Sequence, residues 1–110
     1  MKYLLTLFLF CFLGCSIVNE PKDLTYEVFS NYGHFTVTYL TYTGEQITSN
    51  VHSYEWRKTF PVDSGSPAYL KVVGDSVQAM QAKIKYDSKV IIEQIVEDTL
   101  PVIEFSLILY

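Results

Sequence analysis

From Leu24 onward the apolar residues recur at every second position, and this period constrains the chain more than any other feature. A period of two sends successive side chains to opposite faces of an extended strand, so one face can be buried while the other meets water. Leu24, Tyr26 and Val28 alternate with Thr25 and Glu27 before Asn31-Tyr32-Gly33 breaks the pattern. Phe35, Val37 and Tyr39 alternate with threonines, and Thr43-Gly44-Glu45 turns the chain into a polar stretch, 46–51, suited to a sheet edge. Tyr54, Trp56, Lys58 and Phe60 share one face against Glu55, Arg57 and Thr59. After a loop over 61–67, Ala68, Leu70 and Val72 continue the period as far as Gly74-Asp75.

Segments 77–86 and 89–96 flank Asp87-Ser88, which predicts a two-residue hairpin with positive φ at both turn residues. Residues 77–85 half fit a helix, but the β-branched and aromatic residues around them favour a strand. An unbroken ladder from this turn sets Ile84 against Ile91 and Met80 against Ile95. It also leaves Glu93 facing Ala82 without a partner for its carboxylate, so either the strip reaches solvent there or the turn is longer. The last segment, 102–110, alternates Ile103, Phe105, Leu107 and Leu109 with Glu104 and Ser106. Val102 and Ile108 make it apolar on both faces, which fits either a central strand or one covered by a partner chain. About seven strands with regular turn signals and no amphipathic helix predict an all-β, antiparallel sandwich over 24–110.

The N-terminus follows a different logic. Lys2 precedes an apolar run over 3–13 interrupted only by Thr6, the pattern of an export signal. As a helix the thirteen residues 3–15 would measure about 20 Å, short of the roughly 30 Å hydrocarbon core of a bilayer. Phe12-Leu13-Gly14-Cys15 resembles the lipobox of bacterial lipoproteins, which implies cleavage after Gly14 and acylation of the Cys15 thiol. Phe12 departs from the usual leucine of that motif, and an ordinary cleaved signal is the alternative. This divides the chain into a signal peptide over 1–14, a lipidated cysteine with a polar tether over 15–23, and the sandwich. Ser16 after the cysteine resembles an outer-membrane address, so the expected location is the cell envelope, on its periplasmic or surface face.

The strand landmarks also resemble the extracytoplasmic domain of the mycobacterial membrane protein small (MmpS) family of transport accessory proteins and its lipoprotein relatives. The residues that carry the likeness are Tyr26-Glu27-Val28, Phe35 to Tyr39, Gly44, Trp56, Phe60-Pro61-Val62, Ala68-Tyr69-Leu70 and the stretch from Lys83 to Ile91. Glu55 stands where that family has proline, and Ser88 where it has glycine. The resemblance implies an immunoglobulin-like sandwich and, as partner, a membrane transporter of the resistance-nodulation-division (RND) type.

Chemistry-bearing motifs are sparse. His34 and His52 have no His or Cys at ligand spacing along the chain, and each reads as a turn residue. Glu97-Asp98 lacks the further oxygens that calcium needs, and Ser64-Gly65-Ser66 reads as loop. We therefore expect no catalytic residue, no cofactor and no metal site. The formal charge of −4 excludes a nucleic-acid footprint. Lys71, Lys83 and Lys85 form at most a small basic stripe. Trp56 is the expected anchor of the core, while Tyr32, Tyr42 and Tyr54 are candidates for an exposed ligand platform, with Tyr39 a further aromatic beside them. Two functions fit: a non-catalytic lipid-anchored domain acting through protein contacts, or a binding module for a carbohydrate or small ligand built on those tyrosines.

Overall fold

A computed structural model describes residues 20–110; Gly14, Cys15 and the signal segment lie outside the described residues. Eight strands follow in order: β1 (Lys22–Ser30), β2 (Phe35–Leu40), β3 (Gln46–Val51), β4 (Glu55–Val62), β5 (Pro67–Gly74), β6 (Gln78–Tyr86), β7 (Lys89–Asp98) and β8 (Val102–Ile108). They form two four-stranded antiparallel sheets, ordered β4-β1-β6-β7 and β3-β2-β5-β8. The chain is thus an all-β sandwich, with eight strands where about seven were expected. The β6–β7 hairpin lies beside β1 in the first sheet, and β8 returns to pair with β5 in the second.

The core is built by the predicted alternation. Leu24, Tyr26 and Val28 of β1, with Met80, Ala82 and Ile84 of β6, meet Val37 and Tyr39 of β2, Leu70 and Val72 of β5, and Ile103 and Phe105 of β8. Each such fully buried large side chain contributes about 1.5–3 kcal/mol. The centre is Tyr26, whose ring lies 5.8 Å from that of Tyr39 and 5.9 Å from that of Phe60. Its hydroxyl donates to Leu40 O at 3.0 Å and accepts from Tyr69 N at 3.3 Å, tying the two sheets together. Trp56, the expected anchor, is only half-buried on edge strand β4 and flanks this cluster, 5.2 Å from Tyr39.

Asp87 and Ser88 have φ of 55° and 64°, so the two-residue turn forms as predicted. The expected register does not survive beyond it. Lys85 pairs with Val90 but Ile84 pairs with Ile92, which leaves Ile91 as an extra residue in a β-bulge. Every later residue of β7 changes face, so Met80 meets Val96, Gln81 meets Ile95, and Glu93 faces Lys83 instead of Ala82. Among the described residues strand β8 is an edge strand, not a central one, and Val102 and Ile108 stand exposed at its two ends.

Candidate functional site

The strand directions sort the loops between two ends. The chain enters β1 at Lys22 beside the 41–45, 63–66 and 87–88 connections and the C-terminus. The opposite, far end carries the loops 31–34, 52–54, 75–77 and 99–101. This division splits the proposed tyrosine platform. Tyr32 and Tyr54 belong to the far end, 47% and 68% exposed, whereas Tyr42 is exposed at the entry end beside Phe60. Tyr39 is buried in the core and takes no part.

At the far end the 31–34 loop is held by a buried polar clamp. Ser30 Oγ donates to Gln78 Oε1 and accepts from the backbone N–H groups of Tyr32 and Gly33, both at 3.1 Å. Gln78 Nε2 in turn donates to His34 O at 2.9 Å. Gly33 takes φ +83° against the Tyr54 ring, where an added Cβ would stand only 3.2 Å from the nearest ring carbon. Asn31 Oδ1 accepts from Ala79 N at 2.9 Å, and Ser30 N donates to Tyr54 O at 2.9 Å. With Gln78 Nε2 also donating to Ser76 O at 3.3 Å, these bonds tie the loops 31–34, 52–54 and 75–77 into one surface.

The two histidines, read as unrelated turn residues, meet there. Their Nδ1 atoms lie 2.9 Å apart and their ring centroids 5.1 Å apart, with the Tyr32 ring 5.1 Å from His34. The signal that finds this pair is register, not spacing along the chain. Strands β2 and β3 pair symmetrically about Thr43, with Phe35 opposite Val51 as the last rung, and His34 and His52 occupy the next opposed positions. Among the described residues no three His, Cys, Asp or Glu converge. Asp98 instead accepts from Thr99 N at 2.7 Å.

A shallow apolar groove of about 410 Å³ adjoins the far end on the outer face of the β4-β1-β6-β7 sheet. Phe29, Tyr54, Ala79 and Ile95 line it, and Tyr54 and Ile95 are 68% and 69% exposed. The loops beside it expose Val77 and Leu100 as well. Toward the entry end the same face becomes charged. Glu27, its side chain 3% exposed, accepts from Arg57 at 3.0 Å and Lys85 at 3.1 Å, and an open polar depression of about 280 Å³ surrounds them. The lysine stripe is not one surface: Lys83 and Lys85 sit on this sheet, and Lys71 lies opposite Glu104 on the other. No family model matches the chain, and neither does any curated protein.

Proposed function

We propose that this chain is a non-catalytic, lipid-anchored domain of the bacterial envelope that works by protein–protein contact, with the far end of the sandwich as its contact surface. The observation that carries this reading is the position of the apolar groove. With Cys15 acylated, the tether would enter at Lys22, and a nine-residue β1 would hold Tyr54, Ile95, Val77 and Leu100 about 30 Å further out. Exposed apolar side chains gathered around a groove with a polar rim are the ordinary anatomy of a protein contact. An RND-type transporter is the partner proposed from the resemblance to the MmpS family.

The test is brief crosslinking in the native membranes, purification of the lipidated protein, and identification of what comes with it by mass spectrometry. Recovery of an envelope protein with the wild type, and its loss in Tyr54→Asp and Ile95→Asp, supports the reading. Recovery of nothing above a Cys15→Ala control overturns it. A second reading, a sugar-binding or small-ligand module, is favoured by the exposure of Tyr32 and Tyr54 on either side of Gly33. It predicts ligand binding by the purified protein that Tyr32→Ala and Tyr54→Ala abolish, while Tyr42→Ala leaves it intact.

A further inference from the structure

We infer that His34 and His52 form a two-imidazole site for a first-row divalent transition-metal cation, Cu²⁺ foremost. The pair is placed by the backbone. The two residues are the first opposed positions beyond the β2–β3 ladder, and their inward neighbours Phe35 and Val51 are buried, so both imidazoles project from the outer face. His34 is further fixed through its carbonyl by Gln78, and its ring packs against Tyr32.

Two Nδ1 atoms 2.9 Å apart share one proton, one donating and the other accepting. A proton shift within the donating ring, from Nδ1 to Nε2 through water, turns both Nδ1 lone pairs toward the space between them. No net proton is released, and both rings stay neutral. With metal–nitrogen bonds of about 2.0–2.1 Å, a nitrogen separation of 2.9 Å corresponds to an angle of about 90° at the metal. That is the angle between neighbouring ligands in square-planar or tetragonal coordination, the preference of Cu²⁺ and Ni²⁺, and it is narrower than the tetrahedral angle of Zn²⁺. Cu²⁺ also stands highest in the general affinity order of these ions. Both histidines are exposed, so water completes the remaining positions.

The experiment titrates the full-length protein in detergent with copper(II) chloride, by calorimetry and by electron paramagnetic resonance. The expected result is one tight ion per chain with nitrogen hyperfine structure from two imidazoles. Loss of a supporting partner alone costs 10–100-fold in metal affinity, so His34→Ala and His52→Ala should each weaken binding at least about tenfold. Circular dichroism checks that these exposed-site variants fold, and His34→Asn and His52→Asn repeat the measurement with polar side chains. Equal binding by wild type and the double alanine variant would overturn the inference. So would no uptake by the wild type, or a single variant that binds as the wild type does.

Discussion

Lys83 Nζ lies 3.7 Å from Glu93 Oε2 across the β6–β7 hairpin, a pairing created by the bulge at Ile91. Without the bulge Glu93 would face Ala82, which is fully buried, and a carboxylate there would lose its water with nothing to replace it. With the bulge it meets Lys83 and accepts from Gln81 Nε2 at 3.1 Å, while Ile92 and Val96 take the inward positions. The extra residue therefore reconciles a tight turn with a charged strand.

Deletion of Ile91 tests this directly. Ile92 would then follow Val90 in an unbroken ladder, and every later pair, Lys83 with Glu93 included, would keep its partner. The loss of one half-exposed side chain should cost at most about 1 kcal/mol, or roughly 4–8 °C in Tm for a domain of this size. Deletion of Gln94 instead turns Ile95 inward and Val96 outward, and should cost clearly more in the same thermal melts.

Gly33→Ala should destabilise the far end by about 1–3 kcal/mol, the usual cost of a side chain at left-handed φ. The new Cβ would also press on the Tyr54 ring and displace the wall of the groove. Denaturant unfolding measures the first effect. Near-ultraviolet circular dichroism of the tyrosines reads the second. Unchanged stability together with an unchanged spectrum would mean that the loop is not held as described.

What was legible in the sequence was whatever depends on local period and turn chemistry. Alternating residues identified the inward faces of β1, β2, β5, β6 and β8, and Asp87-Ser88 located its turn. The bulge was not legible, because nothing within β7 distinguishes Ile91 from Ile92 until the charge on Glu93 is weighed against the face it would occupy. The histidine pair was hidden for a related reason. Residues eighteen apart become neighbours only when the β2–β3 register is extended one rung past Phe35 and Val51. The split of the tyrosines followed from strand direction, which places residues before and after the six-residue β2 at opposite ends.

Glu27→Ala should cost about 1–2 kcal/mol in denaturant unfolding. Removing one member of a fully buried ion pair costs about 3–5 kcal/mol, because a charge is stranded without water. Here the stranded groups are Arg57 and Lys85, whose side chains are 53% and 32% exposed and can rehydrate, so the lower figure applies. Arg57→Ala should cost less still, since Lys85 continues to meet the buried carboxylate. The reverse order would place the stabilisation in arginine packing and not in the carboxylate.

The alkaline limit of stability should be set by Tyr26. Burial pushes its phenol up from 10.0 to about 12, partly opposed by the hydrogen bond from Tyr69 N–H. The folded state thus holds this proton more tightly than the unfolded chain does. Its contribution to stability is complete below pH 10 and is lost as the pH rises toward about 12. Tyrosinate absorbance should therefore rise together with unfolding, and Tyr26→Phe should move that transition to higher pH. Tyr69 is a control within the same chain. Its phenol is also raised, chiefly by donation to Glu104 Oε2 at 2.6 Å, but that pair lies on the outer face. Tyr69→Phe should move the alkaline unfolding midpoint less than Tyr26→Phe does, because solvent screens the exposed pair, and a midpoint that moved with Tyr69 but not with Tyr26 would refute the assignment.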